Sequence, residues 1–218
     1  MNKAFIFDMD GVIIDTERTR ALYEREFYEK LFGKEIAEKV GPTIGMSLPV
    51  IYDVAATYGF SMEREMFYNL SHTEAKRIYE QAAITEGFEE LIQKIKAMDF
   101  KIGLVSASPA LWIDLMFKKT KVRHFFDYIL SLHEREDLNH KPHPDGYIAA
   151  MSYLQSSPET TIILEDSNRG IQSAKASGAF TIGFRQNLQK EYQQTGADMY
   201  ADTMDDVLKI VEKRFYEK

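Results

Sequence analysis

Two aspartates, two positions apart, are carried into a glycine by an apolar run: Phe5-Ile6-Phe7-Asp8-Met9-Asp10-Gly11. On a continuing strand, residues two apart share a face, so Asp8 and Asp10 would point the same way. If the chain turns at Met9, the two carboxylates diverge and flank one spot from two angles. Either way, two negative charges sit where a buried strand ends, and they repel unless a cation or a proton intervenes. The chemistry this favours is metal binding coupled to a reaction.

Other polar groups follow later apolar runs. Ser106-Ala107-Ser108-Pro109 comes after Ile102–Val105, and Glu165-Asp166-Ser167-Asn168-Arg169-Gly170 comes after Thr161–Leu164. Between them stands His140-Lys141-Pro142-His143-Pro144-Asp145. Open α/β sheets place ligands beyond the carboxyl ends of their strands. If these runs are strands of one sheet, four acids, a hydroxyl and a lysine converge on one edge.

The elements needed to do this are readable. Short apolar runs recur at Ala4–Phe7, Ile102–Val105, Tyr128–Leu130, Thr161–Leu164 and Thr181–Phe184. Phe88, Leu91, Ile92, Ile95 and Met98 are spaced for one helix face, and Ile171 to Ser177 reads as a helix closed by Gly178. Fully apolar strands alternating with helices predict a parallel sheet covered on both faces. The stretch from Thr16 to Ala83 breaks the alternation. It reads as helical, with Tyr23/Phe27/Leu31, then Ile51/Val54/Ala55 and Met66/Leu70, interrupted near Gly41-Pro42, Gly45 and Gly59. The expected organisation is therefore a Rossmann-like α/β core of residues 1–15 and 84–218, with an all-helical insert at 16–83. Leaving and re-entering the core at two linkers, such an insert can hinge as a lid.

Composition narrows the class. The 218 residues are 44% hydrophobic, enough for a substantial core, and carry a net charge of −7, which argues against a nucleic-acid polymer as partner. Cysteine is absent, so thiolate metal sites and disulfides are excluded. No apolar run approaches the ~18 residues of a membrane span, and Met1-Asn2-Lys3 runs straight into a strand pattern rather than a signal peptide. A cytoplasmic, monomeric protein is expected.

Taken together, FDMDGVIIDTE, the serine of LVSAS, the lysine of KPHPD and LEDSNRGIQSAKASGA resemble the haloacid dehalogenase-like superfamily. The similarity is to its branch of phosphatases and phosphomutases that includes beta-phosphoglucomutase, and it spans nearly the whole chain. The resemblance implies a Rossmann-like core with a helical cap inserted after the first motif. It makes Asp8 the nucleophile that forms an aspartyl-phosphate, and Asp10 the group that protonates the leaving oxygen and then takes a proton from water. It implies Mg²⁺ held by Asp8, by the main-chain carbonyl of Asp10 and by Asp166, with Glu165 acting directly or through water. Lys141 would hold the phosphate against Asp8. Ser106, the amide of Ala107 and Gly11 would complete the phosphate site. The substrate implied is a small phosphorylated metabolite.

Each of these residues also has a bland reading. Strand-end carboxylates can cap a helix, a lysine before proline is often an exposed turn residue, and a strand-end serine is often a turn former. His72, His124, His133, His140 and His143 show no ligand spacing, and Arg18, Arg20, Lys76 and Arg77 read as solvated helix faces. Ser108 has no assigned role. Among relatives, dehalogenases and phosphonatases lack the second aspartate. Beta-phosphoglucomutase-type mutases carry a histidine where this chain has Arg20 and an asparagine where it has Ala110. Hydrolysis of a phosphate ester is therefore favoured over mutase chemistry, with contacts to substrate expected after Thr16 and around Gly41–Ser47. Two readings from other classes stay open: a metal-dependent glycosyltransferase using Asp-x-Asp, and a catalytically idle binding protein on the same fold.

Overall fold

The computed structural model of the protein describes residues 1–41, 43, 46 and 48–216. Residues 42, 44, 45 and 47, within the expected substrate-contact stretch Gly41–Ser47, lie outside the described residues.

The apolar runs form strands β1 (Asn2–Phe7), β2 (Phe100–Ser106), β3 (Tyr128–Ser131), β4 (Ser156–Glu165), β5 (Phe180–Phe184) and β6 (Met199–Ala201). They make one sheet of order β3-β2-β1-β4-β5-β6. Every pairing is parallel. The expected α/β fold with a parallel sheet is thus present. Covered on both faces, the central strands need no polar alternation. Ala4 to Phe7 and Ile162 to Leu164 are fully buried.

Helices α1 (Thr16–Phe32), α2 (Lys34–Val40), α3 (Leu48–Thr57) and α4 (Arg64–Gln81) lie between β1 and β2, followed by α5 (Phe88–Ala97). Then come α6 (Ala110–Phe117), α7 (Asp145–Leu154), α8 (Asn168–Ala176) and α9 (Met204–Tyr216). Among the described residues, no helix is long and apolar enough to cross a membrane.

The chain divides into two compact units, one of Met1–Glu17 with Ala83–Lys218, the other of Arg18–Ala82. In the first, α5 buries Phe88, Leu91, Ile92 and Ile95 of the expected face, whereas Met98 falls at the helix C-cap and is half-buried. Gly178, at φ +84°, ends α8 in the left-handed conformation that a side chain disfavours. In the second, the core gathers Tyr28, Phe32, Val40, Ile51, Ala55 and Phe67. The face of α4 differs from the expected one: Phe67 is buried, whereas Met66 is 55% exposed. The aromatic ring, packed edge-on against Phe60 and Tyr52, takes the inward position, and Met66 is turned out by one step of the helix.

Register fixes what lies at the carboxyl edge. Phe7 of β1 is opposite Leu104 of β2 and Leu164 of β4. The next residues in these strands, Asp8, Val105-Ser106 and Glu165-Asp166, therefore emerge side by side on one edge.

Candidate active site

The first strand ends at Phe7, and the chain turns at Met9. The amides of Val12, Ile13 and Ile14 all donate to Met9 O, while Asp8 N still donates to Leu164 O. The carboxylates of Asp8 and Asp10 therefore diverge. Asp8 faces the neighbouring strand ends. Asp10 accepts from Thr16 Oγ1 at 2.9 Å and from Ser108 Oγ at 2.7 Å.

Lys141 projects from the loop before α7 and is almost fully buried. Its ammonium donates to Asp8 Oδ1 at 2.5 Å, Glu165 Oε1 at 2.6 Å and Val105 O at 3.2 Å. An ammonium has three donors, so all three are used. The loop is held by Arg169, which donates to Lys141 O at 2.6 Å. Glu165 is fully buried, and its Oε1 also accepts from Tyr147 Oη at 2.6 Å. Its other oxygen accepts from Ser167 N and Oγ, both at 3.3 Å.

Asp8, Glu165 and Asp166 each present a carboxylate oxygen within 4.8 Å of the other two, and all three are buried. Burial pushes the Asp8 carboxyl up to about 8, with Lys141 pulling down and Glu165 and Asp10 pushing further up. Burial likewise drives Asp166 well above the ordinary carboxylate range, reinforced by the charges of Asp8 and Glu165. Lys141 is lowered by burial, but Asp8 and Glu165 outweigh this and hold it well above its usual value. Three ionised carboxylates against one ammonium would leave excess negative charge in a dry place, which a proton or a cation has to offset. A hard divalent cation with oxygen ligands fits this donor set.

Gly11 makes the crowding possible. A Cβ on it would lie 1.9 Å from Asp166 Oδ2, and its φ of +74° disfavours any side chain. Expected among the phosphate-binding residues, Gly11 has its N–H committed to Ile14 O inside the loop, so what it supplies here is room. Ser106 is fully buried and its Oγ accepts from Ser108 N at 3.0 Å, which leaves its O–H to donate elsewhere. Ala107 is exposed beside it.

The structure thus gathers Asp8, Lys141, Glu165 and Asp166 directly, with Asp10, Gly11 and Ala107 on the flanking turns and Ser106 at the end of β2. Sequence reasoning missed Tyr147, which reads as a core aromatic two residues into α7. It also gave no role to Ser108 or Thr16, although both stand inside the motifs quoted.

The sequence profile of the haloacid dehalogenase-like hydrolases matches residues 5–184, and the chain belongs to that family of enzymes. It is 28% identical over 181 residues to the phosphorylated carbohydrates phosphatase of Thermotoga maritima, covering 81% of this chain and 82% of that one. It is 26% identical over 218 residues to pyrophosphatase PpaX of Bacillus mycoides, covering 95% and 96% of the two chains. The crystal structure of beta-phosphoglucomutase from Clostridium difficile has the same fold, with a TM-score of 0.74 at 24% identity over 100% of this chain and 98% of that one.

Proposed function

We propose that the protein is a Mg²⁺-dependent phosphatase that hydrolyses a small phosphate monoester, of the phosphosugar class, through an aspartyl-phosphate on Asp8. The observation that carries this reading is the Lys141 ammonium 2.5 Å from Asp8 Oδ1 amid three buried carboxylates. A nucleophilic carboxylate and an anionic substrate repel each other, and a buried cation at the point of attack offsets that repulsion. The name of one sequence relative, a phosphatase of phosphorylated carbohydrates, supports the substrate class. The pyrophosphatase relative acts on a phosphoric anhydride and supports phosphoryl hydrolysis alone.

In this reading residues 1–15 and 84–218 are the catalytic core and 16–83 the helical cap. Asp8, Asp166 and the main-chain carbonyl of Asp10 would hold Mg²⁺. Glu165, with both oxygens already engaged, acts by fixing Lys141. Mg²⁺ held there supplies positive charge that the developing phosphoryl transition state needs.

Asp8 attacks phosphorus, and the bond from phosphorus to the leaving oxygen breaks. Asp10 gives its proton to that oxygen, with its carboxylate kept in place by Thr16 and Ser108. Asp10 then accepts a proton from water as the water oxygen bonds to phosphorus and the link to Asp8 breaks, releasing phosphate. Ser106 donates its free O–H, and Ala107 its amide, to phosphate oxygens. Lys141 keeps Asp8 and the phosphoryl group together through both displacements.

Asp8→Asn, assayed on p-nitrophenyl phosphate, is expected to lose activity by on the order of 10³-fold or more. Its circular dichroism should stay that of the wild type, and acid-quenched wild type should carry phosphorus on Asp8. Wild-type turnover by the variant would overturn the assignment.

A further inference from the structure

The segment between β5 and β6 holds none of the groups used above, yet it supplies two buried amide side chains to the backbone of the site. Asn187 is 4% exposed and Gln194 8%. Gln194 Nε2 donates to Asp166 O at 2.5 Å and to Phe184 O at 2.7 Å. Glu165 of β4 is opposite Gly183 of β5, so Asp166 and Phe184 are the next pair, where the ladder stops. Carbonyls at the end of a parallel ladder lack a strand partner, and the two hydrogens of one amide nitrogen satisfy both. Both acceptors are carbonyl oxygens, so the nitrogen must face them. A flipped amide would set oxygen against oxygen.

Asn187 repeats the device on the other side of the site. Its Nδ2 donates to Gly11 O at 3.0 Å and to Thr85 Oγ1 at 2.7 Å. The same segment is tied to the start of α8: Tyr192 Oη accepts from Asn168 N at 2.8 Å, Asn168 Nδ2 donates to Gln193 O at 2.9 Å and Thr195 N donates to Asn168 Oδ1 at 2.9 Å.

The two backbones pinned in this way are the ones that meet at Asp166, because the Cβ position of Gly11 lies 1.9 Å from Asp166 Oδ2. Asp8, Glu165 and Asp166 each present a carboxylate oxygen within 4.8 Å of the other two, so any recession of the loops behind Asp8 and Asp166 would open the cation site. We propose that Asn187 and Gln194 are positioning residues that set the separation of the Asp8 and Asp166 carboxylates, and through it the affinity for the divalent cation. The inference rests on the phosphatase reading only for the identity of that cation. The two amides touch neither substrate nor cation. They act through the main chain.

The test uses the full chain and Mg²⁺ alone, by calorimetric titration of wild type and Gln194→Met. Methionine keeps the length of the side chain and removes its N–H donors, so a mere space-filling role would leave binding unchanged. Groups that orient metal ligands typically govern affinity by about 10- to 100-fold, and a rise of that size in the Mg²⁺ dissociation constant is expected. In turnover of p-nitrophenyl phosphate, the loss should be recovered by raising Mg²⁺, with KM for the ester unmoved. A folded variant with wild-type Mg²⁺ affinity overturns the proposal, as does a loss of kcat that saturating Mg²⁺ does not restore. Asn187→Ala carries the same expectation if Gln194→Met does not fold. Failure of both to fold assigns the pair to stability and overturns it as well. Wild type that binds no Mg²⁺ overturns the phosphatase reading itself, and is recognised before any substitution is made.

Discussion

Glu165 is the residue at which packing and chemistry are hardest to separate. It is fully buried, and its carboxylate takes donors from Lys141, Tyr147 and Ser167, so it cannot swing without stranding a buried ammonium. This makes Gly170 a stringent position. A Cβ there would sit 1.9 to 2.0 Å from the Glu165 carboxylate, and the locked side chain has no other place to go. Gly170→Ala is expected to lose about 2–4 kcal/mol of stability in urea unfolding, the range for disturbing a buried, hydrogen-bonded ion pair. A change within about 0.5 kcal/mol would mean that Glu165 relaxes freely, and that its grip on Lys141 is loose. The acids themselves are legible in the sequence, because carboxylates at the end of a buried apolar run demand a cation or a proton beside them. Tyr147 is not, because its role depends on a partner 18 positions away that only the folded sheet brings near.

At the scale of elements, strand ends are where this fold places its polar groups, and the entry to β3 shows the structural version of the same habit. Asp127 precedes β3 and accepts from Ile102 N of β2, Lys96 of α5 and Lys101. Partial burial raises its carboxyl, but these three donors outweigh that and leave it below the ordinary value of 3.8. A carboxyl depressed in the fold adds stability above its unfolded pKa, and that stability is lost as pH falls through the folded value. Asp127→Asn should therefore cost about 1 kcal/mol at pH 7, a modest figure because the lysines are partly solvated. The gap to wild type should narrow as pH falls below 3.8 and through the depressed folded value, where the wild-type carboxyl protonates. A gap in urea unfolding that stays constant as pH is lowered from 7 into the acid range would show that packing, not charge, sets the difference. Element legibility follows the same physics. β1, β2, β4 and β5 announce themselves as apolar runs because helices cover both faces. β6 is three residues with Met199 exposed, and it leaves no pattern to read. The α4 face slipped because Met66 and Phe67 both fit a helical stripe, and only tertiary packing chose the ring. Asn187 and Gln194 were invisible for a related reason. An amide in a loop reads as a turn former until the ladder end it satisfies is known.

For the whole molecule, the concentration of unlike demands in one unit has a thermodynamic consequence. The chain carries a net charge of −7, and three of its carboxylates are buried together beside one ammonium. Burial and the charges of Asp8 and Glu165 push the Asp166 carboxyl far up, which means that its ionised form opposes folding when no cation is present. Replacing it with the neutral isostere should relieve that opposition, so cation-free Asp166→Asn is expected to unfold at higher urea than the wild type. The same substitution should remove the response to Mg²⁺. A ligand at about 100 times its Kd stabilises the native state by about 2.7 kcal/mol. For a protein of this size, that corresponds to a rise in Tm of roughly 5–10 °C in the wild type and almost none in the variant. The sole tryptophan, Trp112, lies in α6 within the unit that holds the site, so its fluorescence follows the relevant transition. A variant both less stable than the wild type without Mg²⁺ and equally responsive to it would show that Asp166 is a structural acid. The opposition to folding assigned to the Asp166 carboxylate would then have to lie elsewhere.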